Sequence, residues 1–432
     1  MELKFWNMIR QGKRKIERLL FYKGIPDFHS LFLIIYVFYN IVGITNFSFY
    51  RYPIDIKIEF IFITGLLGFL FGMLFAKLIF DLKYMRYKSF IGYKYSLWLP
   101  SIRNKKKCKF LCYFWFLIVI IAAVYYNRKG IVVLNYDERF VLSAKLGFIA
   151  LSYIVCVYNL YILYITFNLN KYIFYFIFTI YLLVLISFGY RAPIVNLILG
   201  LAFLYLFQFR IKKKNRISVY KFLGIIIILF LFLNLFEFFR CSLKGDIFKF
   251  FLNINLKELP KFLYIFIPFL STARYDQEVL EKLLNYIEHN GFLGGKLFFA
   301  NILTLLPGEQ LGARNIIGSI VSSSITKEGT PWSITVVLQG NLYMDGGFLL
   351  VFYAFFCISF FMYYLKEKLA RKFKLNLAVL YTFLTINFLK AIHTGYFDVS
   401  TIIVIFLFIL FDFLLKVKVT KRNSFDGQMS KI

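Results

Sequence analysis

The sequence predicts an all-α polytopic membrane protein, with about ten transmembrane helices and one long extracytoplasmic loop containing short helices of its own. Three observations predict it. Of 432 residues, 60% are hydrophobic and 22% aromatic, and only 17% carry charge; a soluble domain is about half apolar and a quarter charged. The apolar residues come in runs of about 17 to 22, roughly the length of a helix that crosses a hydrocarbon core. Lys and Arg gather in the short segments between those runs.

The N-terminal segment, residues 1–30, contains "FWNMIRQGKRKIERLLFY". A helix there puts Phe5, Ile9, Ile16 and Leu20 on one face with basic residues opposite, a pattern that lies on anionic lipid at the cytoplasmic interface. No small-residue cleavage site follows, so a cleavable signal peptide is not expected. Residues 31–239 hold seven spans: Leu31–Phe47, Phe60–Phe80, Cys108–Tyr126, Leu146–Phe167, Tyr172–Phe188, Pro193–Phe209 and Phe222–Phe239. The stretch "YMRYKSFIGYKYSLWLPSIRNKKK" between the second and third mixes aromatics and cations as the N-terminus does, and reads as a second interfacial anchor. Residues 240–346 form the extracytoplasmic loop. Residues 347–415 hold the last three spans, Phe348–Leu365, Leu375–Ile392 and Val399–Leu415, and 416–432 are a cytoplasmic tail.

Charge orients this plan. With the N-terminus inside, the cytoplasmic segments hold about 32 Lys and Arg, against about 17 on the other face, which has the greater total length. Both termini are therefore expected in the cytoplasm. The formal net charge of +30 would suggest nucleic acid in a soluble protein, but cations confined to inter-helix segments are topology signals, and no nucleic-acid partner is expected. Cys108, Cys112, Cys156 and Cys357 lie in or beside apolar runs, and Cys241 alone does not, so no extracytoplasmic disulfide is expected. His29, His289 and His393 are too scattered to suggest a metal centre.

A loop of over 100 residues is uncommon without a task. Its apolar pieces "LYIFIPFL" and "LFFANILTLLP" are too short to span and end near prolines, so they are expected to be interfacial or re-entrant helices.

The candidate chemistry sits on this outer face. Arg191, in "SFGYRAPIVNLILG", follows Gly189 and Tyr190 and precedes Pro193, which suits the first turn of a helix. It is expected in a tight outer turn, where a guanidinium costs less than at mid-membrane. Arg240, Arg274 in "STARYDQE" and Arg314 in "LGARN" share that side. A guanidinium stays charged and grips phosphate or carboxylate with a planar fork, so convergence of several suggests an anionic ligand. A local ion pair of Arg274 with Asp276 is the structural alternative, as headgroup contact is for Arg191. Glu309 in "LPGEQLG" and Glu328 in "TKEGTPW" occupy turns, and His393 ends the ninth span in "KAIHTGYFD"; each could take a proton from a hydroxyl, although a solvated role is the alternative for the acids. Asp345 and Asp398 complete the outer acids singled out. No phosphate-binding P-loop, H-E-x-x-H or G-x-S-x-G occurs.

Three pieces carry a family resemblance: "FGYRAPIVNLILG"; the long outer loop with "STARYD" and a later "LLPG"; and "EGTPWSITVVLQGNLYMDGGFLLVFYAFF", leading into the next span. Together they resemble the Wzy-type oligosaccharide repeat-unit polymerases, also called O-antigen polymerases, over most of the chain from about Phe188. Asn341 stands where related sequences are expected to carry an acid. The resemblance implies a fold like the C-type membrane glycosyltransferases and action on undecaprenyl-diphosphate-linked glycans at the outer leaflet of the inner or plasma membrane. The growing chain would pass from its lipid diphosphate to the sugar of a new unit, with no cofactor, metal or nucleotide sugar. Membrane lipids and a polysaccharide chain-length regulator are the other partners implied. In that reading Arg191, Arg274, Glu309, Glu328 and His393 are catalytic candidates. Arg240 and Arg314 would bind substrate, and Tyr190, Tyr275, Trp332 and Tyr343 would offer ring faces to sugars, with core packing the alternative for the aromatics. A lipid-linked glycan flippase or transporter would need polar residues lining several spans at mid-membrane, which are scarce here. An O-antigen ligase shares the layout but uses another acceptor. A scaffold for other polysaccharide proteins gives no reason for outer arginines.

Overall fold

The computed structural model describes residues 21–22, 25–87, 171–187, 191–211, 219–243, 253–304, 311–322, 333–371 and 375–396, with shorter stretches between 110 and 125, Leu160, and parts of 401–409. Among these residues the chain is helical, apart from a two-residue antiparallel pair, β1 (Phe21–Tyr22) with β2 (Ile25–Pro26), and a single bridge between Tyr50 and Ile254. The helices are α1 (Phe28–Ile44), α2 (Ile56–Tyr87), α3 (Lys171–Ser187), α4 (Arg191–Ile211), α5 (Val219–Leu243), a 3₁₀ turn (Lys261–Phe266), α6 (Ile267–Asn290), α7 (Lys296–Leu303), α8 (Ala313–Val321), α9 (Leu338–Arg371) and α10 (Leu375–Thr394).

Seven expected spans fall on α1 to α5, α9 and α10. Three helical stretches are long and apolar enough to cross a membrane: Ile56–Phe80, Leu338–Ala370 and Leu377–Thr394. Shorter apolar helices accompany them, among them Phe28–Ile44, Phe174–Ser187, Ile194–Leu204 and Ile227–Phe239. This is a multi-pass membrane protein. The expected span Leu146–Phe167, apart from Leu160, and the cytoplasmic tail lie outside the described residues, as do most of the second interfacial stretch and the N-terminal interfacial helix except Phe21–Tyr22, which form β1 and are not helical. So do parts of Cys108–Tyr126 and Val399–Leu415, whose described residues are helical.

The most extensive packing is between α2 and α9. A Cβ on Gly68 or Gly72 of α2 would run into the backbone carbonyls of Phe352 and Phe356 on α9, so the two backbones touch through glycine. Between membrane helices, where lipid is as apolar as side chains, such close approach is how dispersion holds helices together. Helix α1 threads Phe28, Phe32 and Tyr36 into an aromatic core with Phe69 of α2 and Phe355 of α9.

Two polar layers mark opposite ends of α1. At its start, Asp27 accepts from Lys366 Nζ of α9 at 2.9 Å and from Ser30 Oγ at 2.9 Å. Tyr381 of α10 donates to the carbonyl of Pro26, and His29 Nε2 meets the carbonyl of Ser359. At its end, α1 meets α6, the start of α9 and the end of α10. The described parts of the segment 253–345 belong to this second end.

In that segment the structure corrects one expectation. "LYIFIPFL" is not a self-contained short helix. It divides at Phe266, the 3₁₀ turn giving way to the 24-residue helix α6 with Pro268 in its first turn. Proline starts this helix instead of ending one, because its missing N–H falls where no intrahelical partner exists. Asn234 of α5 accepts the Phe269 N–H at 3.2 Å, satisfying another first-turn donor. "LFFANIL" is a short helix, α7, as expected. Residues from Leu338 are helical, the helix breaks at Gly346 and Gly347, and the stretch that then runs on to Arg371 opens at Phe348, where the eighth span was expected to begin. Gly347 takes φ 67°, which favours a residue without Cβ.

Candidate functional site

Helix α6 is amphipathic, and its buried face carries polar as well as apolar groups: Ser271, Ala273, Arg274, Asp276, Gln277, Val279 and Leu280. Gly43 of α1 allows this face in, since a Cβ there would lie 2.5 Å from the carbonyl oxygen of Ala273. Helix α1 presents Tyr36, Tyr39, Asn40 and Gly43, at the i, i+3, i+4, i+7 spacing of one helical face.

Asp276 is fully buried, a costly position for a carboxylate unless donors surround it. Tyr39 donates its hydroxyl to Oδ2 at 2.6 Å, and His393 Nδ1 lies 2.6 Å from the same oxygen. Thr335 Oγ1 lies 3.4 Å from Oδ1. Tyr39 and His393 are themselves 3.1 Å apart through the hydroxyl and Nδ1. Asp276, an acceptor, thus gathers α1, α6, α10 and the segment leading into α9 at one point. The His393 side chain is 32% exposed while Asp276 is 0% exposed, so the imidazole spans from the buried carboxylate to the surface. His393 lies in the last turn of α10, which ends at Gly395 with φ 77° and its N–H on the carbonyl of Ala391.

Arg274, two residues back on α6, is 0% exposed. Its fork donates to the carbonyl of Gly43 at 2.9 Å, to Asn46 Oδ1 at 3.0 Å and to the carbonyl of Tyr52, with the carbonyl of Ile44 at 3.4 Å. The guanidinium lies over the Tyr50 ring, 4.6 Å from its centroid. The acid beside it is Glu278, at 3.9 Å, and not the expected Asp276, which is committed to His393 and Tyr39. Residues i and i+4 share a helix face, and i and i+2 do not. Burial pushes the Glu278 carboxyl up, against the pull of the Arg274 charge. Arg274 therefore closes the C-terminal end of α1, whose last carbonyls have no partner within their own helix.

A buried amide layer lies beside the carboxylate. Asn40 Oδ1 accepts from Gln277 Nε2 at 3.1 Å and from Gln339 Nε2, and Asn40 Nδ2 donates to the carbonyl of Tyr36. Asn341 is buried, and its side chain sits where a Cβ on Gly395 would be. Four residues on, Asp345 accepts the Leu297 and Phe298 N–H groups, each at 3.0 Å, and so caps α7. Tyr396 donates to Asp345 Oδ2 at 2.8 Å; burial and that neighbouring charge push its phenol well above the usual range, keeping the donor protonated.

Of the residues singled out in the sequence, Arg274 meets the end of α1 and His393 meets Asp276 and Tyr39, each at its own partners. Arg191 is the first residue of α4, which packs against α10, and Arg240 lies near the end of α5; their side chains are outside the described residues. Tyr190, Glu309, Glu328 and Trp332 lie outside them altogether. Arg314 is half-buried on α8, and its carbonyl accepts the Ile334 N–H. Tyr275 is 43% exposed, on the face of α6 away from the core. Tyr343 packs edge-on against Phe292 and Phe348. Sequence reasoning missed Asp276 and Tyr39 as partners of His393. The available signal was a carboxylate three and four residues before Val279 and Leu280 on an otherwise apolar helical face.

A family model described as "Putative O-antigen polymerase" matches residues 25–408. No match was found among curated proteins or among solved structures.

Proposed function

The chain belongs to the O-antigen polymerase family, and from that premise we propose that it polymerises undecaprenyl-diphosphate-linked oligosaccharide repeat units at the outer leaflet of a bacterial inner membrane. The acceptor is a sugar hydroxyl of one lipid-linked unit, and the leaving group is the lipid diphosphate of the growing chain. His393 takes the hydroxyl proton, with Glu309 and Glu328 as the alternative bases. Arg191, Arg240 and Arg314 supply fixed positive charge where negative charge develops on the diphosphate, which needs no metal. Arg274 acts as a positioning residue, holding α6 and α1 in register beside His393. Tyr190, Tyr275, Trp332 and Tyr343 offer ring faces to the glycan, and a chain-length regulator is a candidate partner.

The observation that carries this reading beyond family membership is His393 itself. It is a part-exposed imidazole whose Nδ1 is engaged by a buried carboxylate. It sits at the same end of the bundle as the described parts of the long segment 253–345. The opposite end holds Asp27 and Lys366, next to the basic run "KEKLARKFK". That separation supports a cytoplasmic location for both termini.

Purified protein incubated with lipid-linked repeat units alone tests the proposal. A ladder of longer lipid-linked glycans is expected. Product only when a second acceptor is added would assign a ligase, and no product under either condition a transporter. In cells lacking the native copy, Arg191→Ala is expected to abolish polymer at normal protein level; full-length polymer from that variant would remove Arg191 from the site.

A further inference from the structure

We infer that Asp276, with Tyr39 as a second donor on the same oxygen, is the positioning carboxylate that fixes the tautomer of His393 and leaves Nε2 as the proton acceptor. This rests on the proposed transfer reaction for its use, but not for its geometry. Asp276 Oδ2 is 2.6 Å from both Tyr39 Oη and His393 Nδ1. An ionised carboxylate only accepts, so the short contact requires the proton on Nδ1. Neutral imidazole carries one N–H, and Nε2 is then a bare lone pair. Among the described residues Nε2 has no hydrogen-bond partner, and the ring is about one-third exposed. Tyr39 donates to the same oxygen and Thr335 lies beside the other, so the carboxylate cannot rotate without losing a bond.

The arrangement gives a complete proton path. The acceptor hydroxyl oxygen forms its bond to the anomeric carbon as the bond from that carbon to the diphosphate oxygen breaks. The electron pair of the broken bond leaves with the diphosphate. The hydroxyl proton moves to His393 Nε2, and the imidazolium formed faces the Asp276 carboxylate, which needs no proton of its own. His393 then releases the proton to water, restoring the starting tautomer. Asp276 touches no substrate in this scheme and works through His393.

The test uses full-length protein labelled with [15N]histidine in lipid nanodiscs. The sequence has three histidines, so three imidazole signals are expected, and His393→Gln identifies that of His393. At a pH where the ring is neutral, wild type is expected to show protonated Nδ1 and bare Nε2. Asp276→Ala should move the proton to Nε2, the form favoured in free histidine. Asp276→Asn keeps an oxygen acceptor and should keep the tautomer and the thermal midpoint. It loses the charge that stabilises the imidazolium, so kcat should fall about 10²-fold or more with KM little changed. A wild-type spectrum with the proton on Nε2 overturns the inference without any variant, as does wild-type kcat in Asp276→Asn. Bare Nε2 together with no glycan ladder supports the dyad and removes the polymerase reading. A ladder formed at the wild-type rate by His393→Gln keeps the polymerase and removes the dyad.

Discussion

Arg274→Ala separates a structural arginine from a catalytic one. The wild-type guanidinium makes three close hydrogen bonds, to the Gly43 and Tyr52 carbonyls and to Asn46 Oδ1, and it lies over Tyr50. Truncation leaves buried carbonyls without donors, each costing about 1–3 kcal/mol. It also strands Glu278, 3.9 Å from the lost Nε, as a half-buried carboxylate with Asn253 as its remaining donor. A total of about 3–5 kcal/mol is the usual scale for removing one partner of a buried charged network. With an unfolding entropy of about 2.1 cal/mol/K per residue, this amounts to a fall of about 3–6 °C in Tm for a chain of this length. Arg274→Lys retains the charge but not the planar fork, and should fall between the two. The assay is thermal unfolding of detergent-purified protein, followed by size-exclusion profile, alongside polymer formation at matched protein level. A variant with wild-type Tm and no activity would refute the positional reading and put Arg274 on the substrate. Unchanged Tm with unchanged activity would refute the packing argument itself.

Three further outcomes follow from the same contacts. Burial alone would raise the Asp27 carboxyl, but the His29 imidazole 3.6 Å away and the charge of Lys366, which donates to it, outweigh that and hold the group well below the usual carboxylate range. A depressed folded-state pKa means that the stabilisation is fully present above the unfolded value of about 4 and is lost as pH falls below it. Asp27→Asn should therefore unfold at a lower temperature than wild type at pH 7, and the gap should close on acidification below about pH 4; a gap of constant size would be contrary. Gly72→Ala should cost about 1–3 kcal/mol by forcing α2 from the Phe356 backbone, read as a lower Tm. Gly395→Ala must hold φ 77° with a Cβ at about 1–2 kcal/mol and displace Asn341, so its larger effect should be on transfer rate, through movement of His393 two residues earlier.

The sequence made different parts of the molecule legible to different degrees. Seven expected spans coincide with helices because burying backbone in lipid requires apolar helices, a constraint carried by each stretch alone. His393 was legible as a residue at the end of the ninth expected span, because the apolar run stops there. The partners of His393 were not. Tyr39 and Asp276 are 237 positions apart and Asp276 and His393 117 apart, and no local pattern couples such positions. Arg274 shows a second limit. Its charge suggested an anion at the membrane face, but the carbonyls that occupy its fork belong to the end of α1 and the loop after it, and unpaired helix-end carbonyls leave no mark in side-chain chemistry.

By itself, then, the amino-acid sequence determined a multi-pass helical membrane protein and the long segment that sets it apart. Those properties follow from local hydropathy and the need to satisfy the backbone within each segment. Only the tertiary structure decided that Asp276 faces His393 and that Arg274 closes α1. Both depend on how closely α6 can approach α1 across Gly43, which is a question of contact between surfaces and not of composition.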